Sequence, residues 1–527
     1  MYWLSYIALI AACVNTGYEF RRDLMMLQQN SYRNERYRRW LDTSGDTTSV
    51  MRLVSMAVVF ASLSTLSTPI VGAVLIGVIS ILNIFTLARK KYKKPLVWTP
   101  RARRIYAVMT LLAVIAIVVP GIITGMTRHS VELMGAAAMI VYCLSHVFTL
   151  LANRLLKPVE ARINARYYHE AERILASMPG LKIIGVTGSY GKTSTKHYLN
   201  RILAEKYDVM MTPGSFNTTL GVIRTVREHL KPYNEVFIVE MGAKQPGDIK
   251  EICDLVHPSM GIVTAVGEQH LESFKSIENV HRTKFELVDA LPADGLAVVN
   301  DDFPFAANRK VDNVECLRYA VKNTGAADYT ASSITYSPAG TTFVLRCPDG
   351  SEQEFKTRLV GECNVSNLMG AIVIALKLNV PVDKIRYAVS KIEQVEHRLN
   401  MKRTPGGVTI IDDAFNSNPT GSGMALDVLA SMTGGKRIVV TPGMIELGDR
   451  QEELNEAFGS KIATSADIAI IVGRYNRDAI VSGIEKGNGT VKTHTVDTFN
   501  DAQRLLATIL APGDTILYEN DLPDTFK

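Results

Sequence analysis

Leu181-Lys-Ile-Ile-Gly-Val-Thr-Gly-Ser-Tyr-Gly-Lys-Thr-Ser-Thr195 joins a short β-rich apolar run to a glycine turn, and a helical pattern follows through Tyr198 and Leu203. Strand, loop and helix in that order are the context a phosphate-binding loop requires. Gly188 and Gly191 let backbone N–H groups point at phosphate oxygens, with Ser189 and Ser194 in the same segment as further nucleotide contacts. Lys192 is placed to reach the β- and γ-phosphates of ATP, and the Thr193 hydroxyl to hold Mg²⁺. The spacing departs from GxxxxGK[ST], because Val186 stands at its first position; TGSYGKT is the shorter TGxxGKT form. Taken alone, the string leaves an ordinary glycine turn open as well.

Outward from this loop the chain is uneven. Its 527 residues suggest three or four domains, and 47% hydrophobic with 21% charged residues excludes a disordered polymer. Mean hydropathy is +0.09, high for a soluble enzyme. Asp, Glu, Lys and Arg are missing from 1–18, 53–88, 105–127 and 133–153. A helix crosses a bilayer with about 20 apolar residues. The second stretch is too long for one crossing and carries Ser67, Thr68 and Pro69 near its middle, so it reads as a helical hairpin, giving about five spans. Buried core helices are the alternative, disfavoured because globular helices show a polar face.

The net charge of +6 gathers in the loops near these runs. Arg89 to Arg104 and Arg21 to Arg39 are the basic segments, and both should be cytoplasmic; the nearly uncharged tips around Pro69 and Arg128 should face outward. The chain is therefore expected in the cytoplasmic membrane, multi-pass, with everything after Asn153 inside. This assigns the basic loops to topology and lipid, with no nucleic-acid partner. The six cysteines are scattered without a CxxC pair, against a disulfide framework or structural zinc.

Residues 154–178 form a basic amphipathic helical pattern, read as a connector along the membrane surface. Farther on, strand-like runs end repeatedly in polar loops: Glu-Val-Phe-Ile-Val-Glu240-Met-Gly-Ala243, then Ile262-Val-Thr-Ala-Val-Gly-Glu-Gln-His270-Leu-Glu. Glu240 thus falls at the carboxyl edge of a parallel sheet, where ligands collect. Further segments are Ser215-Phe-Asn-Thr-Thr-Leu-Gly-Val222, Asn279-Val-His-Arg-Thr-Lys284-Phe-Glu-Leu287, Gly361-Glu-Cys-Asn364-Val-Ser-Asn367, His-Arg398-Leu-Asn, Ile410-Ile-Asp-Asp-Ala-Phe-Asn-Ser-Asn-Pro419 and Val440-Thr-Pro-Gly-Met-Ile-Glu-Leu-Gly448.

In this order, over some two thirds of the chain, these segments resemble the Mur ligases, ATP-dependent amide-forming enzymes of peptidoglycan synthesis. The DDAFNSNP segment most resembles the branch that adds D-alanyl-D-alanine to a muramyl tripeptide. The uncharged runs and the amphipathic pattern give an α-helical membrane domain (1–153) and an amphipathic connector (154–181), and the resemblance implies α/β architecture for the rest. That part would comprise a P-loop-type central ATPase domain with a mostly parallel sheet (182–395) and a smaller Rossmann-like domain (396–527).

The resemblance further implies two Mg²⁺ ions held by Thr193, Glu240, His270 and Lys284, with Lys284 carbamylated. Nucleotide contacts would come from Asn364, Asn367, Arg398, Asp413 and Asn416. Lys192, His270 and Lys284 would carry catalysis. The expected partners are a muramyl peptide, UDP-linked or lipid-linked, and D-alanyl-D-alanine or another amine donor.

Three departures stand out. Cys363 replaces the family's usual histidine, and the histidine usual after ELG is missing, with Asn455 near its place. The chain also ends in Tyr518-Glu-Asn-Asp-Leu-Pro-Asp524 where that branch carries K-G-S-R. A membrane-bound amino-acid ligase or polymerase of the capsular poly-γ-glutamate type, and an inactive membrane scaffold, therefore stay open as alternatives.

Overall fold

The computed structural model describes residues 3–64, 69–90, 92, 94–125, 130–337, 340–415, 417–487 and 489–522. It divides into two compact units, Met1–Ala165 (with 522–527) and Arg166–Asp521.

The first unit is helical: α1 (Trp3–Gln29), α2 (Asn34–Ser44), α3 (Val50–Ser64), α4 (Pro69–Arg89), α5 (Pro100–Ile123), α6 (Ser130–Cys143) and α7 (Ser145–Ala176). Its side chains are sorted in an unusual way. Ile10, Phe60, Val78, Phe85, Leu111 and Ile123 are exposed, whereas Asn15, Glu19, Asp23, Arg52 and Asn83 are buried. Two described helices are long and apolar enough to cross a membrane, Ile70–Arg89 and Pro100–Ile123. The pair Ser130–Cys143 and Ser145–Ala176, bent by 73°, would make a third.

The expected count of about five is corrected accordingly. α3 has only 15 residues, and α1 runs on past its uncharged part to include Glu19, Arg22 and Asp23. The expected tips at Ser67, Thr68 and Arg128 lie outside the described residues, as does Lys91.

The buried charges explain the bend. Arg52 donates to the Tyr142 and Cys143 carbonyls at 3.1 and 2.6 Å, satisfying the end of α6, and to Glu19 and Asp46 at 2.7 and 3.2 Å. Ser145, opening α7, donates to Asp23 at 2.5 Å. Arg22 bridges Glu19 and Asp46. Carbonyls freed by a helix break need donors when water is excluded, and one guanidinium supplies them. The apolar run 133–153 is therefore split at Leu144, and its second half continues as one helix through most of the expected connector.

The second unit carries two sheets. The first has order β2-β3-β1-β4-β5-β6-β7-β8-β9. Its strands are β1 (Lys182–Thr187), β2 (Val209–Met211), β3 (Val236–Glu240), β4 (Met260–Val263), β5 (Leu296–Asn300), β6 (Glu315–Ala320), β7 (Tyr329–Ser337), β8 (Gly340–Arg346) and β9 (Glu352–Thr357). β2 to β7 pair in parallel, and β7 to β9 close the edge antiparallel. β3, β4 and β5 are apolar runs with almost every residue buried, the signature of a parallel sheet covered on both faces.

The second sheet has order β10-β11-β15-β12-β13-β14. Its strands are β10 (Asn400–Arg403), β11 (Thr409–Asp413), β12 (Arg437–Thr441), β13 (Ile468–Val472), β14 (Lys492–Val496) and β15 (Thr515–Glu519). Only β10 is antiparallel. The expected α/β architecture with mostly parallel sheets is what the second unit shows. In both sheets the chemically interesting residues follow strand C-termini: Gly188 after β1, Glu240 ending β3, Asp413 ending β11 and Glu446 after β12.

Candidate active site

The loop after β1 is built to a tolerance that only glycine meets at two positions. Gly188 has φ +150°, and a Cβ there would lie 2.1 Å from Thr264 Oγ1; Gly191 has φ +80°, and its Cβ would lie 2.3 Å from Asn367 Oδ1. Ser189 is fixed by its N–H to the Ala265 carbonyl (2.8 Å) and its hydroxyl to the Gly267 carbonyl (2.8 Å). Lys192 opens the helix Lys192–Leu203 and folds back over the loop, donating to the Gly188 carbonyl at 2.7 Å. Burial lowers its ammonium to about 8, against the pull of Glu240. Ser194 is buried on the same helix start.

Glu240, 1% exposed, is the hub. Its Oε1 accepts from Thr193 Oγ1 (3.1 Å) and Asn217 Nδ2 (3.0 Å), and its Oε2 lies 3.0 Å from Lys196 Nζ. Burial pushes this carboxyl up, but the ammonium groups of Lys196 and Lys192 outweigh it, so Glu240 is held below the usual range and stays ionised. Lys196 was not singled out in the sequence. It is wholly buried, and also donates to the Thr212 and Gly214 carbonyls at 2.8 and 2.6 Å. Its signal was present: it lies four residues after Lys192, on the same face of the loop helix.

Lys284, on the helix Ile277–Asp289, is 1% exposed. Its ammonium has the Phe274 ring at 6.0 Å and no hydrogen bond among the described residues. Burial first, then the neighbouring Lys192, lowers it well below the ordinary lysine range. His270 is also lowered by burial and feels Lys284 as a neighbouring cation. Its Nδ1 contacts Oε2 of Glu446, from the loop after β12. Thr193, Glu240, Lys192, Lys284 and His270 thus share one region.

The other expected nucleotide contacts divide. Asn367 accepts from Thr195 at 3.3 Å and buttresses Gly191. Asn364 has both ends of its amide engaged, accepting from Tyr198 (2.8 Å) and donating to the Val360 carbonyl (2.8 Å), so it braces two helices. Arg398 stacks 4.1 Å from the Phe415 ring; burial lowers it, while Asp413 and Glu240 hold its charge. Asp413 accepts from the Leu399 N–H at 3.1 Å and is raised by burial. Asn416 lies outside the described residues.

Beside the loop lies a cavity of about 520 Å³, walled by Gly267, Phe303, Lys322, Glu362, Cys363 and Thr420 among others. Tyr190 of the loop meets Phe303 edge-on at 5.2 Å. Cys363, in the place of the family's histidine, is half-buried in the cavity wall, and desolvation pushes its thiol up to about 12.

Residues 186–375 match the family model of the Mur ligase middle domain, and residues 397–518 that of the Mur ligase glutamate ligase domain. The UDP-N-acetylmuramoyl-tripeptide–D-alanyl-D-alanine ligase of Mycobacterium tuberculosis is 32% identical over 365 residues, 64% of this chain and 70% of that one. The enzyme of the same name from Bacillus subtilis is 30% identical over 285 residues, 54% of this chain and 61% of that one. The chain thus spans between three fifths and seven tenths of these relatives. Among solved structures, MurF from Thermotoga maritima in complex with ADP superposes with a TM-score of 0.62 at 25% identity, covering 68% of this chain and 80% of that one. MurF from Acinetobacter baumannii gives 0.61 at 25% identity, covering 67% and 77%.

Proposed function

The chain belongs to the Mur ligase family, and from that premise we propose that it is an ATP-dependent carboxylate–amine ligase of peptidoglycan precursor synthesis. The observation that carries this is the gathering of the glycine loop, Glu240 and buried Lys284 in one region. The substrates are those named by the relatives, a muramyl tripeptide and D-alanyl-D-alanine.

Thr193 and Glu240 offer hard oxygens a hydrogen bond apart, a donor set that suits Mg²⁺, and His270 with a carbamylated Lys284 would supply ligands to a second ion. The neutral amine is the form that adds CO₂, and burial shifts Lys284 toward it, so Lys284 is suited to become a carbamate and supply the oxygen ligand. Bound Mg²⁺ would screen the phosphate charge as two anions approach.

The protein's own contribution is position. Loop N–H groups and Lys192 hold the β- and γ-phosphates, while the cavity beside Phe303 receives the base. The substrate carboxylate attacks the γ-phosphorus, ADP leaves, and an acyl phosphate forms. The amine then attacks the acyl carbon and phosphate departs, leaving the amide. No protein nucleophile is required, and Lys192 steadies the transferring group throughout.

The apolar outer face of the helical unit supports insertion in the cytoplasmic membrane, with the ligase sheets on the ATP side. The described elements before β1 are helices. A lipid-linked muramyl peptide held at the membrane would gain effective concentration beside the ligase. A second reading, the same chemistry with another amine, is favoured by the segment Tyr518-Glu-Asn-Asp, which differs from the K-G-S-R of the D-alanyl-D-alanine-adding branch and holds Glu519 buried against Ser417 at 2.7 Å. The inactive scaffold is disfavoured, since Lys192, Thr193, Glu240, His270 and Lys284 are all retained.

The test follows oxygen. With ¹⁸O in the substrate carboxylate, the released phosphate should carry one ¹⁸O per amide. Phosphate without label would exclude the acyl-phosphate route.

A further inference from the structure

Glu446 has no role in the reaction as derived so far, yet two sets of contacts fix it. On one side it meets the first sheet's loops: its carboxylate contacts His270 Nδ1, its Oε1 lies 3.6 Å from Lys244 Nζ, and its carbonyl accepts from the Glu272 N–H at 3.1 Å. Both partners hold unusual backbone, His270 at φ +53° and Glu446 at φ +62°. Non-glycine residues in that region cost about 1–3 kcal/mol each and persist only where their surroundings over-determine them.

On the other side, carboxamides clamp the loop that delivers Glu446. Asn455 accepts from the Met444 N–H at 2.9 Å, Asn476 donates to the Pro442 and Met444 carbonyls at 2.9 Å each, and Asn520 donates to the Gly443 carbonyl at 2.6 Å. Gly443, at φ +80°, leaves the space that Asn455 Oδ1 fills, 2.6 Å from where a Cβ would stand. Asn455, near the place of the family's usual histidine, thus has a physical task as the anchor of this loop.

We propose that Glu446 is a positioning residue: it fixes the Nδ1–H form of His270, turns Nε2 toward the metal site, and so makes that ligand depend on docking of the loop from the second sheet. An imidazole has one lone pair to give, and the hydrogen bond at one nitrogen decides which nitrogen keeps it. A carboxylate on Nδ1–H also makes Nε2 a better donor, and removing such a partner costs about 10–100-fold in metal affinity. Lys244 holds the other carboxylate oxygen. The inference rests on the metal reading above.

The test uses the full chain with Mn²⁺ as probe and a non-hydrolysable ATP analogue, counting bound ions by electron paramagnetic resonance. Wild type should bind two ions. Glu446→Gln and Glu446→Ala should weaken one of them about 10–100-fold, leaving the other ion and the nucleotide affinity unchanged. In ¹⁵N-histidine spectra, the His270 signal should leave the Nδ1–H position in Glu446→Ala. A purely structural role would shift unfolding and nucleotide affinity without moving that signal, and would overturn the proposal. Two ions held as tightly in Glu446→Ala as in wild type would overturn it too. A wild type that binds no ion would overturn the metal reading itself, and this inference with it.

Discussion

At the scale of single residues, the site's charges are set by burial, and their titration is measurable. Lys192 is lowered to about 8, so below pH 8 it is an ammonium and above it a neutral amine. Nucleotide affinity should therefore fall as pH rises from 7 to 9, approaching about tenfold per unit above 8, and Lys192→Ala should flatten that profile and abolish turnover. Affinity rising over the same window would contradict the placement of this ammonium on the phosphates. Lys284→Arg keeps a cation but cannot carry a carbamate. It should raise the Mg²⁺ requirement and remove a carbamate signal in ¹³CO₂-labelled protein, and full activity in that variant would refute the carbamate. Lys192, Thr193 and Glu240 were legible in the sequence because a phosphate loop and a strand-end carboxylate have local signatures. Lys196 was passed over although its spacing from Lys192 is a local signal, and Glu446 was not legible, because it owes its role to burial and to a partner distant in sequence. Asn364 looked like a ligand contact from its motif, yet its amide is engaged between two helices.

Among the elements, the strand–loop–helix at β1 and the helical unit teach opposite lessons. The loop was readable because glycine placement is a local steric demand. Gly188→Ala would put a methyl 2.1 Å from Thr264 Oγ1, so it should cost nucleotide binding at least about tenfold and stability about 1–3 kcal/mol, read by titration and urea unfolding. Lys196→Met, which leaves buried Glu240 without its closest cation, should lower stability by about 3 kcal/mol. A variant as stable as wild type would mean that the Lys196–Glu240 pair contributes nothing net. In the helical unit, counting uncharged residues placed the apolar segments but misjudged their ends. Glu19, Asp23 and Arg22 continue α1 because they pair inside the unit, and the break at Leu144 depends on Arg52, which lies 92 residues earlier in the chain.

For the whole molecule, the sheet orders were beyond the sequence, since register is decided by packing, but the repeated strand-then-polar-loop pattern did foretell strands of a mostly parallel sheet that end in polar loops. Topology has its own test. Cysteines placed near Pro69 and Arg128 should react with impermeant reagents from outside, and one near Lys91 should not; the reverse pattern would put the ATP-consuming sheets on the wrong side. Deleting residues before Arg154 should spare turnover of a UDP-linked acceptor and impair that of a lipid-linked one. Equal loss on both would mean that the helical unit serves folding alone. The central claim, amide formation driven by ATP, is tested most directly by ADP release from the purified full-length protein. ATP, Mg²⁺, D-alanyl-D-alanine and a muramyl tripeptide, in UDP-linked and lipid-linked forms, are supplied together and with each omitted in turn. The account predicts ADP only when amine and acceptor are both present, one ADP per amide formed. ADP release that ignores either substrate, or none with any combination, would contradict it.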